Sequence, residues 1–424
     1  MPIYFSEGSP NADLNSADLR RGIREALARR GGEASRILIL PPDYTRFPSR
    51  GGELTRILYD LHPQEVVDIM PALGTHKPMP DAQIASMFPG VPRSLFRDHL
   101  WRTDVVTLGE VPASFVSEVT EGIYQQPWTA QVNRLLIEGR HDLIVSIGQV
   151  VPHEVIGMAN YNKNVFVGTG GAKGINESHF LSAAYGMERT MGVAKTPLRM
   201  ILNYAQDHFC RDMPLLFVLT VIESLGDGTL KTRGLFIGDS HETFYQAAEL
   251  AAVVNVNRLP NPPEHVVAYL DPAEFHSTWL GNKAIYRTRM AIKTGGRLTV
   301  IAPAVETFGE DQQIDQLIRK YGYRTSREVL QLVEENDDLA ANLSAAAHLI
   351  HGSPENRFTV FYGAGKLTPD EVHSVGYQWA DCDQLLARYD VAKLEDGWHH
   401  DSDGERFYFL RNPSLGLWIS DLTG

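Results

Sequence analysis

Three short apolar runs, each breaking abruptly into a polar loop, constrain this chain more than anything else in it. Ile37-Leu38-Ile39-Leu40 reads as a buried strand and runs into Pro41-Pro42-Asp43-Tyr44-Thr45-Arg46. Val66-Val67-Asp68-Ile69-Met70 is a second, leading into Leu73-Gly74-Thr75-His76-Lys77-Pro78-Met79. Asp142-Leu143-Ile144-Val145-Ser146-Ile147 is a third, leading into Gln149-Val150-Val151-Pro152-His153. Between the first two, Gly52 to Leu61 has helical spacing. This alternation points to α/β units around a mainly parallel sheet. In open sheets of that kind, ligands bind in the crevice beyond the carboxyl ends of the strands. Asp43, Arg46, His76 and His153 each follow a predicted strand, so that edge is read as the active face.

The pattern continues downstream. Runs at 215–221 and 234–237 and a helix over 241–254 extend the first domain, and Arg258-Leu259-Pro260-Asn261-Pro262-Pro263 is the best linker. Beyond it come a strand near 266–270, a helix near 283–293, the run Arg297-Leu298-Thr299-Val300-Ile301, helical patterns over 311–321 and 326–350, and a strand at 358–362. The expected architecture is α/β: two α/β domains with mainly parallel sheets, spanning 1–262 and 263–424, with the active-site cleft between them. The segment at about 80–105 is a candidate to pack on the second domain. At 424 residues the chain is long enough for two cores.

Composition narrows the partners. No apolar run approaches the roughly 20 residues that span a bilayer, and Met1-Pro2-Ile3-Tyr4-Phe5 has no secretory pattern. With Cys210 and Cys382 alone, a disulfide framework is not expected and a cysteine metal cage is excluded, which suits a reducing cytoplasm. A formal charge of −13 argues against nucleic acid and anionic membranes as partners.

The chemistry-bearing residues cluster around one glycine-rich turn, Val167-Gly168-Thr169-Gly170-Gly171-Ala172-Lys173. Glycine lets other atoms approach the backbone closely, so Lys173 at its exit suits an anion clamp or a covalent anchor; the alternative is a solvated turn lysine. The residues are not a P-loop, which requires Ser or Thr after its lysine. Asn176 reads as a helix N-cap, placing His179 in the first turn, where the helix dipole favours neutral, metal-binding imidazole. His76 and His153 are either backbone-bonded loop histidines or paired acid/base groups. Asp43 and Arg46 either form a local ion pair or leave Arg46 to offer its planar fork to a carboxylate or phosphate. Trp398-His399-His400 reads as a flexible exposed turn.

Taken in order, Asp43-Tyr44-Thr45-Arg46, Gly74-Thr75-His76-Lys77-Pro78-Met79, Pro152-His153, Gly170-Gly171-Ala172-Lys173 and Ile175-Asn176-Glu177-Ser178-His179 resemble the nickel-pincer-dependent lactate racemase family. The resemblance implies a racemase or epimerase that inverts C2 of a 2-hydroxy acid by hydride transfer. Its cofactor would be the nickel-pincer nucleotide (pyridinium-3-thioamide-5-thiocarboxylic acid mononucleotide) with nickel, joined through a thioamide to Lys173. It further implies His179 as nickel ligand, His76 and His153 as acid/base groups, and Asp43, Arg46, Gly170 and Gly171 around the cofactor. Where the family places a Tyr-Gln pair and a lysine near the substrate, this chain has Tyr286-Arg287-Thr288-Arg289, making Arg46, Tyr286, Arg287 and Arg289 substrate candidates. Implied partners are a small 2-hydroxy acid, cofactor-biosynthesis proteins and a second copy of the chain in a homo-oligomer. The interval from His153 to Lys173 is longer than in the lactate racemases, and that from Lys173 to His179 correspondingly shorter. Two other functions compete: a lyase using Lys173 without nickel, and a noncatalytic ligand-binding protein.

Overall fold

The computed structural model describes residues 2–420. The apolar runs become strands because side chains on both faces have a core to enter. Leu38, Leu40 and Ile144 join one hydrophobic cluster, while Ile37, Ile39, Leu143 and Val145 join another on the opposite face. Successive side chains of a strand point to opposite faces, and a strand covered on both reads as a continuous apolar run.

Six strands form the first sheet, in the order Ile3–Gly8, Leu230–Gly238, Leu215–Ser224, Leu143–Gln149, Ile37–Leu40, Val66–Ile69. The last four run parallel, Ile37 pairing with both Leu143 and Val66, and Ile144 with Leu215. Ile3–Gly8 is antiparallel to Leu230–Gly238 at the far edge. The carboxyl ends of Ile37–Leu40, Val66–Ile69 and Leu143–Gln149 therefore share one edge, the one that the sequence marks as active. The helix Gly51–Leu61 follows the first of them, with Gly52 so close to the chain that a Cβ there would lie 1.9 Å from the Met87 carbonyl oxygen.

The second sheet has the order Gln378–Trp379, Thr359–Ala364, Arg297–Ala302, His265–Tyr269, Arg406–Leu410, Gly397–His400. All its neighbours are parallel except the last pair. Val267, Ile301, Phe407 and Phe409 build a cluster against it.

Contacts divide the chain into two compact units. The first runs through Tyr185 and takes in Arg189–Glu223 and Leu230–Val254; the second takes in Gly186–Glu188, Ser224–Thr229 and the chain from Asn255. The division precedes the proline-rich stretch because Val256–Arg258 pairs with Leu417–Ile419, which ties it to the second unit. The segment at about 80–105 belongs to the first unit: Ile84, Met87, Phe88 and Phe96 enter the same cluster as Ile39 and Leu54.

Three local expectations change. The helix expected over 283–293 is regular only over Lys283–Tyr286. The pattern over 326–350 breaks into Ser326–Glu335, Asp337–Ala340 and Leu343–His351, because Asn336 leaves helical dihedrals and the Asn342 side chain caps a new helix at Ala345 N. Trp398-His399-His400 is no flexible turn but an edge strand paired with Arg406–Leu410, the Arg406 guanidinium lying 3.9 Å from the Trp398 ring centre. Among the described residues no helix is long and apolar enough to cross a membrane.

Candidate active site

At the end of Ile37–Leu40 the chain turns through a short 3-10 helix, Tyr44–Ser49, with Asp43 as its entry residue. At the end of Val66–Ile69 a turn held by Gly74 N–H donating to the Gly168 carbonyl, at 2.8 Å, carries His76 back toward Asp43. The two strand ends are locked in step by a parallel bridge between Pro42 and Ala72. As a result Asp43 Oδ2 lies 2.6 Å from His76 Nδ1, and Asp43 Oδ1 accepts from the Thr45 hydroxyl at 2.6 Å. Asp43 is buried and His76 half-buried. Burial alone would raise the Asp43 carboxyl, but the charge and hydrogen bond of His76, the Thr45 hydroxyl and the Arg46 charge outweigh it and hold it below the usual carboxylate range. An ionised Asp43 can only accept, so Nδ1 of His76 carries a proton, and in the neutral form of the ring Nε2 is the base. Asp43 thus uses its carboxylate on His76 and Thr45, and the local Asp43–Arg46 ion pair is not formed.

His153 is oriented the other way. It sits on a two-residue ribbon in which Pro152–His153 pairs with Gly157–Met158, and it is buried. Its Nδ1 accepts the Val155 backbone N–H at 3.0 Å and lies 3.6 Å from Glu154 Oε2. An Nδ1 that accepts from an amide places the proton of the neutral ring on Nε2. The two histidines therefore hold complementary tautomers, imposed by a carboxylate in one case and an amide in the other.

His179 has a third environment. It lies within the helix Ala172–Tyr185, not in the first turn expected from an Asn176 cap, because the helix begins four residues earlier. Its Nδ1 donates to the Ile175 carbonyl at 2.7 Å. Burial holds its proton affinity down; the Ile175 bond opposes this, while the positive charges of Lys163 and His76 add to the lowering. The ring is thus kept neutral with its Nε2 lone pair outward from that bond, as in metal-ligating histidines whose second nitrogen is fixed by a carbonyl.

The lysine that joins this cluster is Lys163, not Lys173. Lys163 is half-buried, and burial together with the Arg46 charge pulls its ammonium down to about 8 against the opposing pull of Glu154 and Asp43. Lys173 is exposed, 3.4 Å from Glu110 Oε1 and 4.0 Å from Glu177 Oε1. Lys173 and His179 are six residues apart on one helix, about 240° around its axis, so they do not share a face. The glycines before Lys173 are occupied by the protein itself: a Cβ on Gly170 would lie 1.9 Å from the Phe166 carbonyl oxygen, and one on Gly171 2.4 Å from Gln131 Oε1. The sequence reading did not weigh Lys163, although a signal was present. A lysine ten residues upstream of Lys173 shortens the interval from His153 and lengthens that to His179, opposite in sense to both length departures.

The second-unit candidates are built into their own surroundings. Arg289, buried, pairs with Glu188 at 2.7 Å and donates to the Ile350 and Ser353 carbonyls. Arg287, also buried, donates to the Gly416 carbonyl at 3.2 Å. The Tyr286 ring packs edge-on to His351. Among the described residues no group of three or more His, Cys, Asp or Glu side chains could hold a metal ion.

Residues 18–191 match the family described as the lactate racemase N-terminal domain. No curated protein matches the chain. Among solved structures, a protein from Thermotoga maritima is similar over 98% of this chain and 100% of its own, at 23% identity and a TM-score of 0.81. The lactate racemase apoprotein from Thermoanaerobacterium thermosaccharolyticum is similar over 97% of this chain and 90% of its own, at 16% identity and a TM-score of 0.67. At these identities the likeness to both is one of fold.

Proposed function

We propose that this chain, whose residues 18–191 match the lactate racemase N-terminal domain family, is a racemase or epimerase of 2-hydroxy acids, with His76 and His153 as its acid/base pair. The observation that carries this reading is that two strand-end histidines each have Nδ1 engaged by a neighbour, Asp43 in one and the Val155 amide in the other, which turns proton exchange with a substrate to Nε2. Inverting a carbinol centre needs one group ready to take the hydroxyl proton and another ready to return it. His76, its Nδ1 held by Asp43, accepts that proton at Nε2. His153 returns a proton from Nε2 when it is in its imidazolium form, with Glu154 Oε2 3.6 Å from Nδ1 to support the second proton, and ends neutral. After one turnover the protonation states have exchanged, so the pair is set to receive the opposite enantiomer.

The nickel-pincer nucleotide that the family resemblance implies fits the donors present. The chain has no metal cage of its own among the described residues, so it suits a metal that brings most of its ligands and needs one imidazole. His179, with Nδ1 satisfied by the Ile175 carbonyl, would supply that ligand at Nε2. Lys163, with its ammonium pulled down to about 8, would be the amine of the thioamide, and Arg46 the partner of the phosphate or of the substrate carboxylate. When bound, the cofactor supplies a reversible hydride acceptor, which lets a weakly acidic Cα–H be removed without an enolate. The chain's own part is position and charge: it holds Asp43 ionised, His179 neutral and the lysine partly deprotonated.

The test is a panel of 2-hydroxy acids and sugar acids, followed by chiral chromatography, with protein made alongside cofactor-biosynthesis proteins. Interconversion lost in His76→Ala and in His153→Ala, with the cofactor mass on the Lys163 peptide retained in both, would support the reading. Cofactor mass on the Lys173 peptide would reassign the anchor. A Schiff base trapped by borohydride at either lysine in nickel-free, active protein would replace the reading with the lyase.

A further inference from the structure

The segment that delivers Lys163 has an unusual backbone. Asn160 and Tyr161 are consecutive non-glycine residues with φ of 66° and 63°. Asparagine adopts this left-handed region readily, whereas a bulky aromatic residue there is a real outlier. Such strain persists where the surroundings over-determine it, and it gathers at functional sites.

Here the surroundings converge on one buried cation. Arg199, on the helix Pro197–Phe209, is 0% exposed. Its Nη2 donates to the Met158 carbonyl at 2.8 Å and to the Asn160 carbonyl at 3.2 Å, and its Nη1 donates to Asn162 Oδ1. Its acceptors are thus carbonyl and amide oxygens spaced along one five-residue segment, not a carboxylate. The guanidinium plane rests 3.9 Å from the Phe244 ring centre, and Tyr161 stacks on that same ring at 5.5 Å. An ionised guanidinium is expensive to bury without a counter-charge, and its rigid fork fixes the atoms that solvate it. A merely structural core position would be filled more cheaply by an apolar side chain. The far side of the segment is fitted just as closely: a Cβ on Gly148 would lie 1.7 Å from Asn160 Nδ2. The Tyr161 hydroxyl is held by Gln206 at 2.9 Å and by His241 at 3.0 Å. Lys163 follows directly, its own backbone already helical.

We infer that Arg199 is the positioning residue for Lys163: its fork holds 158–162 in the left-handed turn that brings the lysine side chain to Asp43, Arg46 and His179. The inference rests on the reading of Lys163 as the functional amine, although its structural half stands without it.

Backbone hydrogen exchange on the full-length protein, read by peptide mass spectrometry, tests that half directly in wild type, Arg199→Met and Arg199→Lys. The expected result is exchange faster by about tenfold or more in 158–165 for Arg199→Met, with the parallel strands and Tm little changed. Arg199→Lys, which keeps a cation and donors, should restore part of the protection, and cofactor attached at Lys163 should follow the same order. Unchanged exchange at 158–165, or acceleration spread evenly over the first unit, overturns the inference. Should Arg199→Met fail to fold, Asn162→Ala removes one acceptor and is read in the same way. A Lys163→Ala protein that keeps its cofactor and activity would overturn the functional reading, leaving the exchange result to judge the positioning by itself.

Discussion

Replacing Asp43 by Asn should cost catalysis far more than stability. The carboxylate accepts from His76 Nδ1 at 2.6 Å and from the Thr45 hydroxyl at 2.6 Å. An amide of the same shape keeps the Thr45 bond through its oxygen but can turn its NH2 toward His76. The ring then carries its proton on Nε2, and the base becomes a donor. In serine proteases the equivalent substitution lowers kcat by about 10⁴ through the wrong tautomer, which is about 5 kcal/mol of barrier. Because His76 here is half-buried and able to exchange partners with water, a fall of about 10³, or roughly 4 kcal/mol, is expected. Stability should fall by only about 1–2 kcal/mol, since a buried hydrogen bond is weakened rather than orphaned. The assay is racemisation followed from each enantiomer with cofactor-loaded protein, together with ¹⁵N NMR of the imidazoles to read the tautomer. Activity within about tenfold of wild type, or an unchanged Nδ1–H tautomer in the variant, would refute the reasoning. Asp43 is held below its unfolded value, so its contribution to stability is present above about pH 4 and is lost as pH falls through the folded value. The variant should therefore lose less stability than wild type on acidification below that point.

Other outcomes follow from the same geometry. Lys163→Ala should abolish cofactor attachment, whereas Lys173→Ala, which removes an exposed pair with Glu110, should leave attachment intact and shift stability by about 0.5 kcal/mol or less. Amine labelling of Lys163 in cofactor-free protein should reach half its maximum rate near pH 8, because the ammonium is pulled down to about 8. His99 is buried and held down to about 4, donating to the Gly170 carbonyl at 3.0 Å; the unfolded chain binds this proton first, so folding should lose roughly 3 kcal/mol as pH falls from 6.5 to 4, and His99→Gln should flatten that part of the denaturation profile. Gly148→Ala should cost about 1–3 kcal/mol by overpacking, seen as a lower Tm with faster exchange at Asn160.

Much of this was legible in the residues themselves. The strand Ile37–Leu40 and the helix His241–Val254 form where the pattern places them, because apolar residues on both strand faces, or at helical spacing, need a covering layer that the same chain supplies. Asp43, His76 and His153 fall at strand ends for the same reason, and an apolar run bounded by proline or glycine marks such an end. The structure departs from the one-dimensional pattern where spacing had to stand in for distance. Lys173 had the more eye-catching neighbours, yet its glycines pack against Phe166 and Gln131, and the helix turns its amine toward Glu110. Asn176 looked like a cap, but the helix had already begun at Ala172, since caps are decided by where the preceding segment arrives.

The sequence by itself determined the α/β layering, the edge of the first sheet that bears polar loops, and the residue types gathered there. Periodicity and turn chemistry are local properties, and they survive in one dimension. Only the tertiary structure decided which lysine lies in the field of Asp43, Arg46 and His179, which group engages Nδ1 of His76 and of His153, and that a guanidinium lies buried against 158–162. Those depend on approaches of about 3 Å between groups distant in sequence, and a hydrogen bond chooses its partner by direction as well as by identity.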